Sequence, residues 1–219
     1  MLFVTFEGID GCGKSTQVQR IQNRLSAASY PSILLREPGG TKLSEAVRGL
    51  LLDPAMTIDP YAEMLLFSAA RAQLVREVVA PALAEGTIVL SDRFFDSTVA
   101  YQGGGRGVES AEWLSDFQRR VAGGRVPHRT YYLRIDPAVA RRRQSIRGEA
   151  QDRMEEEKDT FYQRVVDAYE AIAAREPERI RIIDAGLPVE AVEAAIWADL
   201  RTLLTNGAGT GDSASCSPK

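Results

Sequence analysis

The feature that most constrains this chain is a glycine-rich loop at residues 8–15, which reads GIDGCGKS. The loop matches the pattern GxxxxGKS and lies between an apolar run at residues 2–6 and a helix-like stretch at residues 16–25. Glycines let backbone N–H groups turn inward around a phosphate, and the N-terminus of the next helix adds positive charge there. The order of strand, loop and helix therefore predicts a nucleotide-binding α/β protein.

The residue types in the loop indicate how the phosphates are held. Lys14 supplies a mobile cation for the β- and γ-phosphates, and Ser15 supplies a hydroxyl suited to Mg²⁺, a hard ion that prefers oxygen ligands. The loop predicts binding of ATP or GTP together with Mg²⁺, but it does not choose the reaction. The predicted nucleotide-binding residues are Gly8, Ile9, Asp10, Gly11, Cys12, Gly13, Lys14, Ser15 and Thr16.

Composition excludes several classes of protein. The chain has 219 residues, of which 44% are hydrophobic and 26% charged, as is ordinary for a soluble globular protein. A net charge of −3 gives no general attraction to nucleic acid. No stretch approaches transmembrane length, and the two cysteines are not expected to pair. We therefore expect a cytoplasmic protein with no nucleic-acid or membrane partner.

The alternation of apolar runs with helical patterns predicts the fold class. Strands that alternate with helices imply a five-stranded, mostly parallel sheet with helices on both faces, a three-layer α/β fold. The predicted strands are residues 2–6, 32–36, 87–91, 130–135 and 179–184. The predicted helices are residues 14–27, 42–52, 59–84, 96–103, 110–121, 136–146, 155–175 and 189–204. Pro81 should kink or end the third helix.

The domain organisation is predicted to be simple. Residues 1–205 form one domain, because neither a repeat nor a break in composition divides them. Residues 206–219 are rich in Gly, Ser and Ala, so they cannot offset the entropy of ordering and are expected to be a disordered tail.

Two charged clusters stand beside predicted strands. Asp92 and Arg93 follow the third strand, at the sheet edge where ligands bind in open α/β folds. Asp92 can hold Mg²⁺ and Arg93 can neutralise phosphates on both sides of a transferring group; the alternative is a strand-end salt bridge.

The second cluster, at residues 141–153, holds five arginines and predicts a lid inside the domain. Closure over a polyanion would exclude water and deliver positive charge, as phosphoryl transfer needs, whereas the alternative is a solvated basic helix face. Arg147 and Arg153 are the preferred pair because they flank Gly148, the expected hinge. The remaining arginines are Arg141, Arg142 and Arg143.

Phe67 and Arg71 are four residues apart on the third predicted helix, so they share one face. Together they could stack on a base and bind its edge by hydrogen bonds. By itself, Phe67 is better interpreted as a core residue, because it ends the apolar string MLLF.

Four motifs in this order resemble those of thymidylate kinases: FEGIDGCGKST, REPGGT, LLFSAAR and DRFFDSTVAYQGGGRG. The resemblance extends from residue 1 to about residue 204. It implies the nucleoside-monophosphate kinase version of the phosphate-loop fold, with a homodimer as its usual assembly. It also implies ATP-dependent, Mg²⁺-assisted transfer of a phosphoryl group to deoxythymidine monophosphate (dTMP), giving deoxythymidine diphosphate.

At matching positions the resemblance implies roles for individual residues. Asp10 corresponds to the carboxylate that binds the deoxyribose 3′-hydroxyl, and Arg48 to the arginine that grips the 5′-phosphate. Phe67 corresponds to the aromatic ring on thymine and Arg71 to the partner of its O4, while Tyr101 crowds the 2′ position. The implied substrate-binding set is Asp10, Arg36, Glu37, Arg48, Phe67, Arg71, Arg93, Ser97, Thr98, Tyr101 and Gln102.

The resemblance also bears on catalysis. Members carry an arginine either in the loop or in the lid, and this loop has none, so the lid must supply it. The predicted catalytic residues are Lys14, Asp92, Arg93, Arg147 and Arg153. Cys12 stands where small residues are common in the family, so it is expected to act as a small filler. A secondary hypothesis is a thiol of lowered pKa, sensitive to oxidation or alkylation, because Cys12 lies at a helix N-terminus.

Two alternatives stay open at this point. One is a kinase for another nucleoside monophosphate. The other is a GTP-dependent switch, which is disfavoured because the chain has no NKxD-type guanine signature and Asp92 is not followed by xxG.

Overall fold

The computed structural model describes residues 1–147 and 159–208. Within these residues, five strands form one parallel sheet in the spatial order β2-β3-β1-β4-β5. The strands are β1 (Phe3–Glu7), β2 (Ser32–Arg36), β3 (Ile88–Asp92), β4 (Arg129–Arg134) and β5 (Ile180–Asp184). Every residue of β1 and β3 is buried, as expected for central strands covered on both faces. The predicted five-stranded α/β fold is confirmed.

Helices connect the strands at the predicted places. In chain order they are α1 (Lys14–Ala27), α2 (Lys42–Leu52), α3 (Pro60–Leu74), α4 (Ala80–Ala84), α5 (Phe95–Thr98), α6 (Ala111–Val121), α7 (Pro137–Arg147), α8 (Asp159–Arg175) and α9 (Val189–Ala208). Two π-helical segments, Val75–Val79 and Val99–Gly105, continue α3 and α5. The side chains of Asp59 and Asp136 cap α3 and α7, since they accept hydrogen bonds from the first turns of these helices.

Pro81 does not end the third helical segment, which runs on to Ala84. Proline lacks an N–H and its ring clashes with the carbonyl four residues earlier. The chain meets this constraint with the π-helical turn at Val75–Val79, where the N–H of Ala80 bonds the carbonyl of Val75, five residues back.

The end of α9 also corrects the predicted start of the tail. The helix continues to Ala208, so residues 206–208 are helical, while the rest of the predicted tail lies outside the described residues. Leu204 is the last buried apolar side chain among the residues of α9 whose side chains are described, and each residue added beyond it closes one more backbone hydrogen bond at small cost. Among the described residues, no helix combines the length and the apolar character needed to cross a membrane.

The strand order explains where a site can form. β2, β3 and β1 are neighbours, and in their register Asp92 at the end of β3 lies beside Phe6 and Arg36. Because parallel strands end at the same edge, the segments that follow these three strands meet in space.

Candidate active site

The glycine-rich loop wraps closely against α7 and β4. Gly8, Gly11 and Gly13 have φ of +139°, +82° and +96°, in the region that favours glycine. A Cβ on Gly11 would lie 2.4 Å from the carbonyl oxygen of Ala140, and one on Gly8 would lie 2.7 Å from that of Leu133. Both glycines are therefore required for the close approach as well as for the turn.

Lys14 is folded back onto the loop that precedes it. Its Nζ donates to the carbonyl oxygens of Gly8 and Ile9, both at 2.9 Å, and lies 3.8 Å from Oδ1 of Asp10. The side chain is 5% exposed. This arrangement holds the Lys14 cation at the mouth of the loop. The side chain of Ile9, another predicted nucleotide-binding residue, is buried in the core.

Ser15 and Asp92, the predicted metal ligands, are in direct contact, since the Ser15 hydroxyl donates to Oδ2 of Asp92 at 2.6 Å. A hydroxyl and a carboxylate are hard oxygen donors that fit Mg²⁺. In the described parts of the chain, no cluster of three or more His, Cys, Asp or Glu side chains could hold a metal by itself. A pair of donors is the kind of partial site that Mg²⁺ completes with phosphate oxygens and water.

Arg93 lies between the loop and a deep cavity. Its Nη1 donates to the carbonyl of Gly8 and to Oγ of Ser97, each at 3.1 Å, and its Nη2 donates to Oδ1 of Asp10 at 2.5 Å. The guanidinium also lies over the ring of Tyr101, 4.9 Å from its centroid. Four different partners thus fix the direction in which this cation points.

Asp10 is held as a carboxylate. Burial raises its pKa, but Arg93 and Lys14 outweigh burial and bring the pKa of Asp10 to about 2. Its second oxygen accepts from the Tyr101 hydroxyl at 3.1 Å. Asp10 is therefore a charged hydrogen-bond acceptor on the wall of the cavity at any pH near neutral.

The cavity beyond Arg93 contains nearly all of the predicted substrate-binding residues. Its volume is about 110 Å³. The predicted residues that line it are Asp10, Glu37, Arg48, Phe67, Arg71, Arg93, Ser97, Thr98, Tyr101 and Gln102. Arg36 instead lines an adjoining pocket together with Lys14, Ser15 and Asp92. The two pockets share Asp10, Glu37, Arg48 and Arg93, so they form one continuous cleft.

Phe67 and Arg71 lie one helical turn apart on α3 and both line this cavity. Phe67 is half-buried and also packs against a small apolar cluster that includes Val47 and Leu51. The ring therefore serves the core with one part and the cavity with another, so it is not sealed in the interior.

Arg71 is 2% exposed and is held by acceptors from four segments. Its Nε donates to Oε2 of Glu37 at 2.8 Å, and its Nη1 donates to Thr98 and Gln118 at 3.0 and 2.5 Å. Its Nη2 donates to the carbonyl of Phe94 at 3.1 Å. Burial raises the pKa of Glu37, and Arg71 opposes that shift. The result is a rigid cationic wall in a buried site.

A third cavity opens behind the loop and shares no described lining residue with the cavity beyond Arg93. It is lined by Gly11, Cys12, Gly13, Thr16, Gln17, Arg143, Ala185, Gly186, Leu187, Pro188, Val189 and Val192. Residues 185–188 join β5 to α9 at the same edge of the sheet as the other site segments. Sequence reasoning missed this connection, although a Gly and a Pro directly after a predicted strand were a signal for it.

Two further sequence predictions need correction or fall outside the described residues. Burial raises the pKa of the Cys12 thiol more than Lys14 lowers it, and Cys12 is 2% exposed, so the hypothesis of a low-pKa thiol is wrong. The backbone of Arg147 ends α7, but its side chain, Gly148 and Arg153 lie outside what the structure describes.

The parallel sheet, the phosphate loop on its central strand and a side-chain-lined cleft that faces the loop define a phosphate-loop kinase of small phosphorylated acceptors. Comparison with known proteins narrows this class. The family model described as thymidylate kinase matches residues 6–196, which is most of the chain. This protein belongs to the thymidylate kinase family.

Individual relatives agree with this assignment. The chain is 47% identical to the thymidylate kinase of Deinococcus radiodurans over 197 residues, covering 90% of this chain and 95% of the relative. It is 45% identical to that of Bifidobacterium longum, covering 92% and 98%. Its fold matches the crystal structure of thymidylate kinase from Ehrlichia chaffeensis with a TM-score of 0.73 and 33% identity, covering 91% and 98%.

Proposed function

We propose that this chain catalyses the transfer of the γ-phosphoryl group of ATP to dTMP, giving ADP and deoxythymidine diphosphate. The observation that carries the proposal is the continuous cleft, with the phosphate loop at one end and the Phe67–Arg71 face at the other. A nucleoside monophosphate that lies with its base at Phe67 directs its phosphate toward the loop. The membership of the thymidylate kinase family supports thymine as the base.

The cavity beyond Arg93 is the proposed acceptor cavity, in which different side chains bind the base, the sugar and the phosphate of dTMP. Phe67 stacks on the base and Arg71 donates to its edge, with Ser97, Thr98 and Gln102 around it. Asp10 accepts from the 3′-hydroxyl, and the Tyr101 ring fills the space that a 2′-hydroxyl would occupy. Arg48, whose Nη1 donates to the carbonyl of Pro38 at 3.1 Å, turns its charge to the 5′-phosphate beside Arg36 and Glu37.

Transfer itself depends on positioned charge. The acceptor is already an anionic phosphate, so no strong general base is needed. Lys14 and Arg93 stabilise the negative charge that spreads over the transferring group. Mg²⁺, held by Ser15 and Asp92, supplies further neutralisation of the phosphates when it is bound. Arg147 and Arg153 of the proposed lid add further positive charge to the transferring group.

The adenine base of the donor, ATP, has a separate candidate site in the cavity behind the loop. The cavity behind the loop shares no described lining residue with the cavity beyond Arg93, so the two nucleotides of an in-line transfer can bind in separate places. Arg143 offers a planar cation for stacking, and residues 185–188 offer backbone groups and small side chains. We assign the adenine of ATP to this cavity.

A panel of acceptors tests the proposed function. The purified protein is incubated with ATP and Mg²⁺, and ADP release is measured with dTMP, deoxyuridine, uridine, deoxycytidine and deoxyguanosine monophosphates. We expect kcat/KM to be highest for dTMP. Comparable values for dTMP and uridine monophosphate would favour the alternative of a broader nucleoside-monophosphate kinase. Binding of GTP with no turnover of any acceptor would favour a switch.

The assembly and location complete the proposal. We propose a homodimer, supported by large apolar side chains on α2 and α3 that are 42–48% exposed: Leu43, Leu50, Tyr61 and Leu65. Light scattering during gel filtration measures the mass directly. The cytoplasmic location and the domain limits of residues 1–205 stay predictions.

A further inference from the structure

Glu7 is the last residue of β1, directly before the loop, and its side chain is completely buried. Its Oε1 accepts the backbone N–H of Phe94 at 2.7 Å, and its Oε2 accepts the hydroxyls of Ser97 at 2.6 Å and Tyr169 at 2.9 Å. These donors belong to the turn after β3, to α5 and to α8. One carboxylate thus ties the strand that leads into the loop to Ser97, which lines the acceptor cavity, and to α8.

Arg93 is the residue most affected by this link. Its φ is +73°, a strained conformation for a non-glycine residue, which persists only when the surroundings hold it. Glu7 binds the N–H of Phe94, the very next peptide, and the hydroxyl of Ser97, which itself accepts from Nη1 of Arg93 at 3.1 Å. Glu7 therefore restrains both the backbone of Arg93 and the direction of its guanidinium.

We propose that Glu7 is a positioning residue for phosphoryl transfer, whose carboxylate holds Arg93 in the strained conformation that aims its guanidinium at the junction of the two nucleotides. This inference rests on the proposed function, because it acts through the role of Arg93 there. It gives a purpose to a buried carboxylate that touches neither nucleotide site directly.

The charge state of Glu7 makes the inference testable. Burial and then the Asp96 carboxylate raise the pKa of Glu7 to about 7, against the opposing effects of Ser97, Arg93 and Tyr169. When Glu7 is protonated, one of its oxygens becomes a donor and the carboxyl group can no longer accept all three hydrogen bonds. The hold on Arg93 should weaken as the pH falls through this range.

A double-mutant cycle separates positioning from general damage. Glu7→Gln keeps the shape of the side chain and removes its charge; we expect kcat to fall about 30-fold, with the KM for dTMP changed less than about threefold. In an Arg93→Ala background, the same change should cost less than about twofold, because the residue through which Glu7 acts is gone. The matched control is Glu193→Gln, a buried carboxylate on α9 that pairs with Arg20 and Arg24 and should leave kcat unchanged.

The ratio of kcat for wild type to kcat for Glu7→Gln gives a second readout. Substrate phosphates titrate equally in both reactions and cancel from the ratio. We expect the ratio to be large at pH 8 and severalfold smaller at pH 6, where wild-type Glu7 is mostly protonated. A ratio independent of pH, or factors that simply multiply in the cycle, would overturn the inference.

Two controls cover the other outcomes. If Glu7→Gln does not fold, Tyr169→Phe removes one of the three donors and keeps the ring stacked on Tyr132; we expect an about threefold loss of kcat that is absent in the Arg93→Ala background. An unchanged kcat in Tyr169→Phe would then overturn the role of Glu7. Wild-type protein that does not turn over dTMP would overturn the proposed function and this inference together. Normal wild-type turnover, with independent effects of Glu7→Gln and Arg93→Ala in the double-mutant cycle, would overturn only the inference.

Discussion

The acceptor and donor cavities on the two sides of the loop are built differently. Charged and aromatic side chains line the acceptor cavity, and they are already bonded to one another, as Arg71 is to Glu37 and Arg93 to Asp10. Among the described residues, the donor cavity is lined by glycines, apolar side chains, Thr16, Gln17 and a single cation, Arg143. The side chains of the acceptor cavity are thus already held in fixed positions for one ligand. The donor cavity instead presents mostly backbone groups and apolar side chains. Selectivity should therefore be concentrated on the acceptor side.

The largest expected effect comes from removing the cation between the two cavities. Arg93→Ala should lower kcat by about 10²–10³, because positioned charge on the transferring group is lost. Steady-state kinetics with dTMP measure this effect. Arg119→Ala, which breaks an ion pair with Glu176, is the control and should stay near the wild-type rate. A loss of less than fivefold in Arg93→Ala would mean that catalysis does not depend on this junction.

The second-largest effect on kcat is expected at the proposed Mg²⁺ ligands, Ser15 and Asp92. Asp92→Asn keeps the hydrogen bond with Ser15 possible but removes the charge, so we expect kcat to fall about 50-fold and the Mg²⁺ concentration for half-maximal rate to rise. A magnesium titration of the rate measures both. Asp53→Asn, at the C-terminal end of α2, is the control. An unchanged magnesium requirement in Asp92→Asn would contradict the assignment of this pair.

Phe67 tests the acceptor side alone. Stacking between a base and an aromatic ring contributes ~1–3 kcal/mol, so Phe67→Ala should raise the KM for dTMP about tenfold while the KM for ATP stays the same. The exposed aromatic Tyr30, which precedes β2, gives the control Tyr30→Ala. Equal effects on both substrates would break the distinction between the two cavities.

The buried carboxylate behind the acceptor side should also affect stability. Because the pKa of Glu7 is raised to about 7 in the folded protein, the folded state binds more protons than the unfolded state between about pH 4.5 and 7. The contribution of Glu7 to stability is therefore present at low pH and lost as the pH rises through 7. We measure the free energy of unfolding in urea for wild type and for Glu7→Gln. The value for Glu7→Gln, relative to that for wild type, should rise by on the order of 1 kcal/mol between pH 5.5 and pH 8. A difference that shrinks with pH would contradict the burial of a titrating Glu7.

The smallest effect is expected on the donor side. Arg143→Ala should raise the KM for ATP about threefold and leave the KM for dTMP unchanged, since a single cation over a base contributes ~0.5–1 kcal/mol at a partly exposed site. Arg201→Ala, on the exposed face of α9, is the control. An effect of Arg143→Ala as large as that of Phe67→Ala would remove the contrast between a prepared and an open cavity.

The same contrast explains what the sequence could predict. The periodic apolar runs and the loop motif predicted the strands, the helices and the site edge, because these depend on local patterns. The residues of the acceptor cavity were predicted through the resemblance to thymidylate kinases, whose motifs assign these side chains position by position. The connection at residues 185–188 was missed since its atoms are mostly backbone, which leaves a weak signal. Glu7 was missed because its partners are 87–162 positions away in the chain.

The central claim is that the cleft between Phe67 and the loop holds dTMP with its base at Phe67 and its phosphate at Arg93. A crystal structure of the protein soaked with dTMP tests it most directly. The account predicts the thymine ring stacked on Phe67, with O4 toward Arg71 and the phosphate between Arg48 and Arg93. Thymine bound in the cavity beside Arg143, or a phosphate pointing away from Lys14, would contradict it.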